Sequence, residues 1–150
     1  MAALDGFADI VKRHEPLAPY THLRVGGPAD LLVQPRSREE LAAVVRQCFR
    51  EKLPMRVIGK ACNVLVPDHG VRGVVVRMTE PAFTAIHVSG KRVTAGAGAA
   101  VSALISHAAE AGLAGLETLV GIPGTVGGAL RCNAGDRTGD IGQFVRHVEV

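Results

Sequence analysis

The sequence contains no tryptophan, a single tyrosine at Tyr20 and 3% aromatic residues overall. Stacking platforms of the kind that grip single-stranded nucleic acid are therefore excluded. Its cysteines number three, Cys48, Cys62 and Cys132, an odd count with no CxxC pair, so neither a disulfide framework nor a zinc site is expected. Six histidines never fall at metal-ligand spacing, and no metal is assigned. The opening MAALDGFADIVKRHEP carries acids and no long apolar run, which reads as neither a signal peptide nor a membrane span. Reduced thiols then point to the cytoplasm. The formal charge of +3 is scattered rather than gathered in a run, suiting anionic small ligands rather than DNA. No GxGxxG follows a strand into a helix, and no GxxxxGK[ST] phosphate loop occurs.

Small residues are abundant, with 18 glycines in 150 residues. The densest stretch, GIPGTVGGALRCNAG from Gly121 to Gly135, holds five glycines and no charge before Arg131. Glycine costs conformational entropy on folding, so such a cluster marks positive φ angles or a ligand pressed against the main chain. A flexible linker would carry serine and charge in place of Ile122, Val126, Ala129 and Leu130.

Periodicity divides the chain into two halves. Leu4, Phe7, Ile10 and Val11 suggest a short amphipathic helix ending before Pro16, an N-terminal helical extension over residues 1–16. DLLVQP reads as a strand, and Ser37 with Glu40 forms a capping box opening a helix with Leu41, Val44, Val45, Cys48 and Phe49 on one face. MRVIG is the next strand, parallel to the first by the crossover rule, and VVVRM another. This α/β part, residues 17–80, is followed by a second subdomain over 81–150. There FTAIHV and KRVTAG make a hairpin around Ser89–Gly90, and Val101, Leu104, Ile105 and Ala108 mark a helix stopped by Gly112. FVRHVEV reads as a strand begun and not finished, so position 150 is read as a cut and a substrate-binding domain as absent from this chain.

Two loops stand out for chemistry. GKACN leaves the carboxyl end of a parallel strand, where open α/β sheets bind ligands. The glycine-rich stretch offers backbone N–H groups free of side chains, with Thr125 capping a helix through Leu130. Spacing alone leaves both open to reading as structural turns.

THLRVGGPAD, RVIGKACNVLVPDHGVRGVVVRM, VTAGAGAAVSALISHAAEAGLAGLETLVGIPGTVGGALRCNAG and GDIGQFV resemble, in order, successive blocks of the UDP-N-acetylenolpyruvoylglucosamine reductase family, over residues 17–150. The resemblance implies an α+β fold, a two-subdomain FAD-binding domain of the vanillyl-alcohol oxidase and para-cresol methylhydroxylase type. It also implies that Ile58, Gly59, Lys60, Ala61, Cys62, Asn63, Val64 and Leu65 line the adenine and pyrophosphate side. Gly121, Ile122, Pro123, Gly124, Thr125, Val126, Gly127 and Gly128, with Asn133, Ala134 and Gly135, would wrap the pyrophosphate and approach the isoalloxazine. A Cβ at Gly124 or Gly127 would intrude on the cofactor. The family's reaction is NADPH-driven reduction of a UDP-sugar for peptidoglycan synthesis. Its proton-donating serine and the groups that polarise the substrate carboxylate lie downstream of position 150, so no catalytic residue is assigned.

The first loop departs from the family's usual GGGSN, retaining only Gly59 and Asn63. Alanine and cysteine keep the turn if its φ angles are negative, whereas a left-handed position would be strained. Lys60 stands either near the pyrophosphate or in solvent. Cys62 and Cys132 read as small residues in place of serine or glycine, so FAD is expected to be non-covalent. Arg137 stands where the family often has an aromatic residue, and its role is open. Two rival readings remain, a flavin oxidase of the same superfamily and a non-catalytic module binding FAD or a nucleotide.

Overall fold

The computed structural model describes residues 4–150, so positions 1–3 of the expected N-terminal extension lie outside the described residues. The described chain forms two compact units, one ending at Phe83 and the other running Thr84–Val150.

The first unit is a four-stranded sheet built from β1 (Val11–Pro16), β2 (Pro28–Val33), β3 (Met55–Ile58) and β4 (Val71–Arg77), in the order β1-β2-β4-β3. β2 and β3 both run parallel to β4, which lies between them, and β1 is antiparallel to β2. The strand, helix, strand expectation holds in direction, with the third strand inserted between the two it joins. Helix α1 (Arg38–Arg50) covers one face, where Val44 and Cys48 pack with Leu31, Val33, Val74 and Val76. Leu32 and Val75 alternate with these and pack on the other face with Leu17 and Val66, joined by Ala29 across a register shift in β2 between Ala29 and Leu31. Burial on both faces explains why LLV and VVV read as continuous apolar runs.

The expected N-terminal helix is a correction. The chain makes a 3-10 turn at Asp5–Phe7 and then enters β1, whose register with β2 runs from Val11↔Val33 to Pro16↔Pro28. Leu4, Phe7, Ile10 and Val11 do pack on the α1 face, so the periodicity marked burial correctly and the secondary structure wrongly. A helix so short is marginal, while pairing with β2 satisfies the backbone outright.

Ser37 caps α1 as expected, its hydroxyl accepting from the Glu40 amide at 3.2 Å. The return leg differs, because the Glu40 carboxylate accepts from the Arg36 amide at 2.7 Å and its guanidinium at 2.6 Å. Cys48 is core, and burial pushes its thiol pKa up. Phe49 is 86% exposed and Val45 is also exposed, because the packed stripe runs through Leu41, Val44 and Cys48 and leaves these two a further 100° or so around the helix.

The second unit follows a single helical turn, α2 (Pro81–Thr84), that straddles the division. Its hairpin pairs β5 (Ile86–Ser89) with β6 (Arg92–Ala95), and because Ser89 partners Arg92 the loop residues are Gly90 and Lys91. Helix α3 (Val101–Glu110) buries Val101, Leu104 and Ala108. It ends as expected at Gly112, with φ 70°, where the Gly112 amide reaches Ala109 O and the Leu113 amide reaches Ala108 O, both at 2.9 Å. Helix α4 (Val126–Cys132) and the short pair β7 (Gly135–Asp136) and β8 (Gly139–Asp140) complete the unit. FVRHVEV is a second correction. Ile141–Phe144 is a 3-10 turn, and residues 145–150 are exposed and form no strand, since no described strand pairs with them.

Candidate cofactor loops

In the first unit, β3 carries Ile58 into the loop at 59–65. Ile58 packs on the Leu17 and Val75 cluster, Ala61 is buried, Gly59 and Cys62 are half-buried, and Lys60, Asn63, Val64 and Leu65 are exposed. Ala61 has φ 48°, so the left-handed position falls on a residue with a Cβ. That conformation costs an alanine about 1 kcal/mol. Ala61→Gly is expected to raise the unfolding free energy, by at most about 1 kcal/mol because glycine also gains unfolded-state entropy. A denaturation midpoint that falls in this variant would show that the alanine is not strained.

A second loop, 21–27, is laced to the first. The His22 amide donates to Ala61 O at 3.4 Å and the Gly27 amide to Pro67 O at 3.0 Å. Buried Thr21 holds the loop closed, its hydroxyl 3.1 Å from Ala18 O and 3.0 Å from Val25 O. Arg24, at φ 56°, is a second non-glycine left-handed residue here. Sequence reasoning did not place this loop at the site. Its signals in the sequence were the Gly26-Gly27 pair and the THLRVGGPAD block around it, neither of which names a cofactor contact.

In the second unit, the 121–128 turn is stapled to the start of α3. Val101 N donates to Gly124 O at 3.1 Å, Val126 N to Ala99 O at 2.8 Å and Gly127 N to Ala97 O at 2.8 Å. Thr125 caps α4 as expected, its hydroxyl accepting from Gly128 N at 3.3 Å. Ile122 N is also bonded, to Leu119 O. Within this turn, the amides left without a protein partner among the described residues are those of Gly121, Gly124 and Thr125. Gly121 and Gly124 have φ 84° and 129°, and a Cβ on either would meet nothing within 4 Å.

Gly127 has a reason inside the unit for carrying no side chain. A Cβ there would stand 2.9 Å from Ala97 Cβ and 3.0 Å from Ala97 O, so its bareness serves packing inside the unit. Past α4, Asn133 takes φ 47° and its Oδ1 accepts from Gly142 N at 3.1 Å, while Ala134 N donates to Ala129 O. Gly135 pairs with Asp140, and a Cβ on it would collide with Gly139 O at 2.2 Å. Those three residues fold the turn after α4. None of the three cysteines is in a disulfide; Cys132 is exposed and Cys62 has its sulfur 3.8 Å from Lys60 O.

A dinucleotide needs donors for its phosphate oxygens and close main-chain approach. In the second unit, three unbonded amides beside glycines with open α-carbons meet that need, and among the described residues each unit also holds a buried polar atom without a partner, Arg77 Nε in the first and Thr118 Oγ1 in the second. An α+β domain with this equipment is of the flavin-dinucleotide-holding class, and the chain belongs to the FAD binding domain family, whose profile matches residues 29–150. Within that class it is similar to UDP-N-acetylenolpyruvoylglucosamine reductase of Anaeromyxobacter sp. (strain Fw109-5), with 46% identity over 140 residues that cover 93% of this chain and 44% of the relative. The crystal structure of UDP-N-acetylenolpyruvylglucosamine reductase from Thermus caldophilus superposes with a TM-score of 0.71 at 42% identity, covering 87% of this chain and 44% of that one. Alkyldihydroxyacetonephosphate synthase shares the fold, with a TM-score of 0.67 at 22% identity, covering 93% of this chain and 30% of that one. The chain thus spans less than half the length of the reductases it matches. Among the described residues no helix is long and apolar enough to cross a membrane.

Proposed function

We propose that these 150 residues are the FAD-holding part of an NADPH-dependent reductase acting on UDP-N-acetylenolpyruvoylglucosamine. The observation that carries the proposal is the 121–125 turn, where unbonded amides at Gly121, Gly124 and Thr125 coincide with bare, open α-carbons. Identity of 46% to a reductase of that name supports the substrate class.

When bound, the flavin would supply hydride transfer from NADPH to the enolpyruvyl group. In the second unit the unbonded amides of Gly121, Gly124 and Thr125 would be its main-chain donors, with Asn133 and Gly135 keeping the turn after α4 in shape, and residues 58–65 would be the first unit's contact. Thr125 fixes the helix entry, and the staple to Ala97 and Ala99 keeps the amides pre-positioned before ligand arrives, which lowers the cost of binding.

The full-length gene product should purify yellow, release its flavin on acid precipitation, and oxidise NADPH only when the enolpyruvyl sugar is added. Colour retained in the pellet would make Cys62 or Cys132 an attachment site. Peroxide formation without dependence on the sugar would point to an oxidase, and colourless protein that takes up no FAD would end the flavin reading.

A further inference from the structure

Arg77 is the last residue of β4, and its Cα partner in the parallel ladder is Ile58, which opens the 59–65 loop. Its guanidinium carbon lies 4.6 Å from the centroid of the Tyr20 ring, and Tyr20 immediately precedes the 21–27 loop. Arg77 thus lies at the root of both loops of the first unit, which are themselves joined by the His22 to Ala61 bond. The Nε is buried and has no hydrogen-bond partner. No carboxylate forms an ion pair with Arg77 among the described residues, and the acid on Tyr20 is taken: Glu15 accepts from the Tyr20 hydroxyl at 2.5 Å and pairs with Lys12 at 3.6 Å. Partial burial lowers the Arg77 pKa, the direction that desolvation without a counter-ion gives.

A half-buried cation with an unmade hydrogen bond is destabilising by itself. The Tyr20 stack offsets part of that and leaves the fork of donors unused. The unused charge and donor fit an anion bound at the loop that starts beside it. Building on the flavin reading above, we propose that Arg77 is a positioning and charge-neutralising residue for the diphosphate of the dinucleotide held at loop 59–65. The main-chain amides of that loop orient the phosphates, and Arg77 supplies the cation that the loop lacks in its interior, since Lys60 is exposed. The alternative, that Arg77 serves only to stack on Tyr20, makes the opposite prediction for the protein without ligand.

The test uses Arg77→Met, which keeps length and apolar bulk, Arg77→Lys, and Arg46→Met as a control with the same change of charge at an exposed α1 position outside both loops. FAD affinity is measured by flavin fluorescence quenching and the ligand-free protein by thermal melting. Arg77→Met should bind FAD about 10- to 100-fold more weakly, the range for one charged hydrogen bond, with a ligand-free midpoint equal to or above wild type. Arg77→Lys should fall between, and Arg46→Met should stay within about threefold of wild type. FAD affinity within threefold of wild type in Arg77→Met overturns the assignment. So does a loss of FAD affinity accompanied by a ligand-free midpoint several degrees lower, which would make Arg77 a structural stack on Tyr20. Wild-type protein that binds no FAD overturns the flavin reading itself, and the Arg77 assignment with it.

Discussion

Alanine at Gly124 is expected to leave the second unit folded and strip it of flavin, whereas valine at Gly127 is expected to destabilise that unit by about 2–4 kcal/mol whether or not flavin is present. The two glycines stand three positions apart in one turn but have different surroundings. A Cβ at Gly124 points into open space, beside the unbonded amides of Gly124 and Thr125. Its φ of 129° makes an L side chain strained by about 1–2 kcal/mol, a loss that still leaves most of a typical domain's stability. Blocking two amides that would bond charged oxygens removes about 1.5–3 kcal/mol each, so FAD affinity should fall by about 100-fold or more. At Gly127 the new atoms drive into Ala97, whose carbonyl already accepts the Gly127 amide at 2.8 Å. Overpacking at a site backed by main chain costs about 1–3 kcal/mol, and the displaced hydrogen bond about 1 more. Ligand-free melting and flavin titration, run on both variants, separate the two roles. Parallel losses of affinity and stability at both positions would mean that this turn is structural throughout.

How much of this was readable from the sequence depended on how local the cause was. Ser37, Gly112 and Thr125 were legible because caps and stop signals are written within one turn of chain, and each makes the bond expected of it. The turn at Gly121 was legible because its glycine cluster reports a backbone need directly, and Gly121 and Gly124 do take φ of 84° and 129°. What failed was decided by partners distant in sequence. Whether Val11–Pro16 becomes helix or strand depends on β2 offering Val33 and Leu32 as register partners of Val11 and Lys12, which no window around residue 10 contains. Gly127 could not be told from Gly124 because Ala97 makes the difference. The 21–27 loop and Arg77 come beside the 59–65 loop only through pairings with Ala61, Ile58 and Tyr20 that folding creates. Ala61 went the other way: its strain was foreseen as conditional on φ, and φ is positive.

Gly27→Ala is expected to be more disruptive to the first unit than removal of any single core methyl group, although it adds only one carbon. The residue lies where three segments converge on main-chain atoms: Leu17 N donates to Gly27 O at 3.2 Å, Gly27 N donates to Pro67 O at 3.0 Å, and Gly70 N also donates to Pro67 O at 2.9 Å. An added Cβ would stand 2.0 Å from Asp68 O and 2.6 Å from Gly70 N. No rotamer relieves this, because the colliding atoms are backbone on both sides. The neighbouring chain is equally tight, with a Cβ on Gly70 only 1.9 Å from Pro28 O, so the 67–70 turn cannot back away. The turn must therefore separate from the 21–27 loop, breaking the Gly27 to Pro67 bond and exposing Leu17 and Val66, which pack together in the cluster beneath. Overpacking alone costs about 1–3 kcal/mol and the lost hydrogen bond about 1, so a loss of about 3 kcal/mol or more is expected, a large share of the roughly 5–15 kcal/mol that holds a domain together. Because β2 begins at the next residue and the 59–65 loop is laced to 21–27 through Ala61, flavin affinity should fall together with stability rather than independently of it. That coupling is the reverse of the behaviour expected at Gly124. Urea unfolding monitored by far-UV circular dichroism, with FAD titration on the same samples, reads both quantities. A variant within 1 kcal/mol or so of wild type would show that the 67–70 turn yields easily, and that the close approach of these two loops is not what holds the first cofactor loop in place.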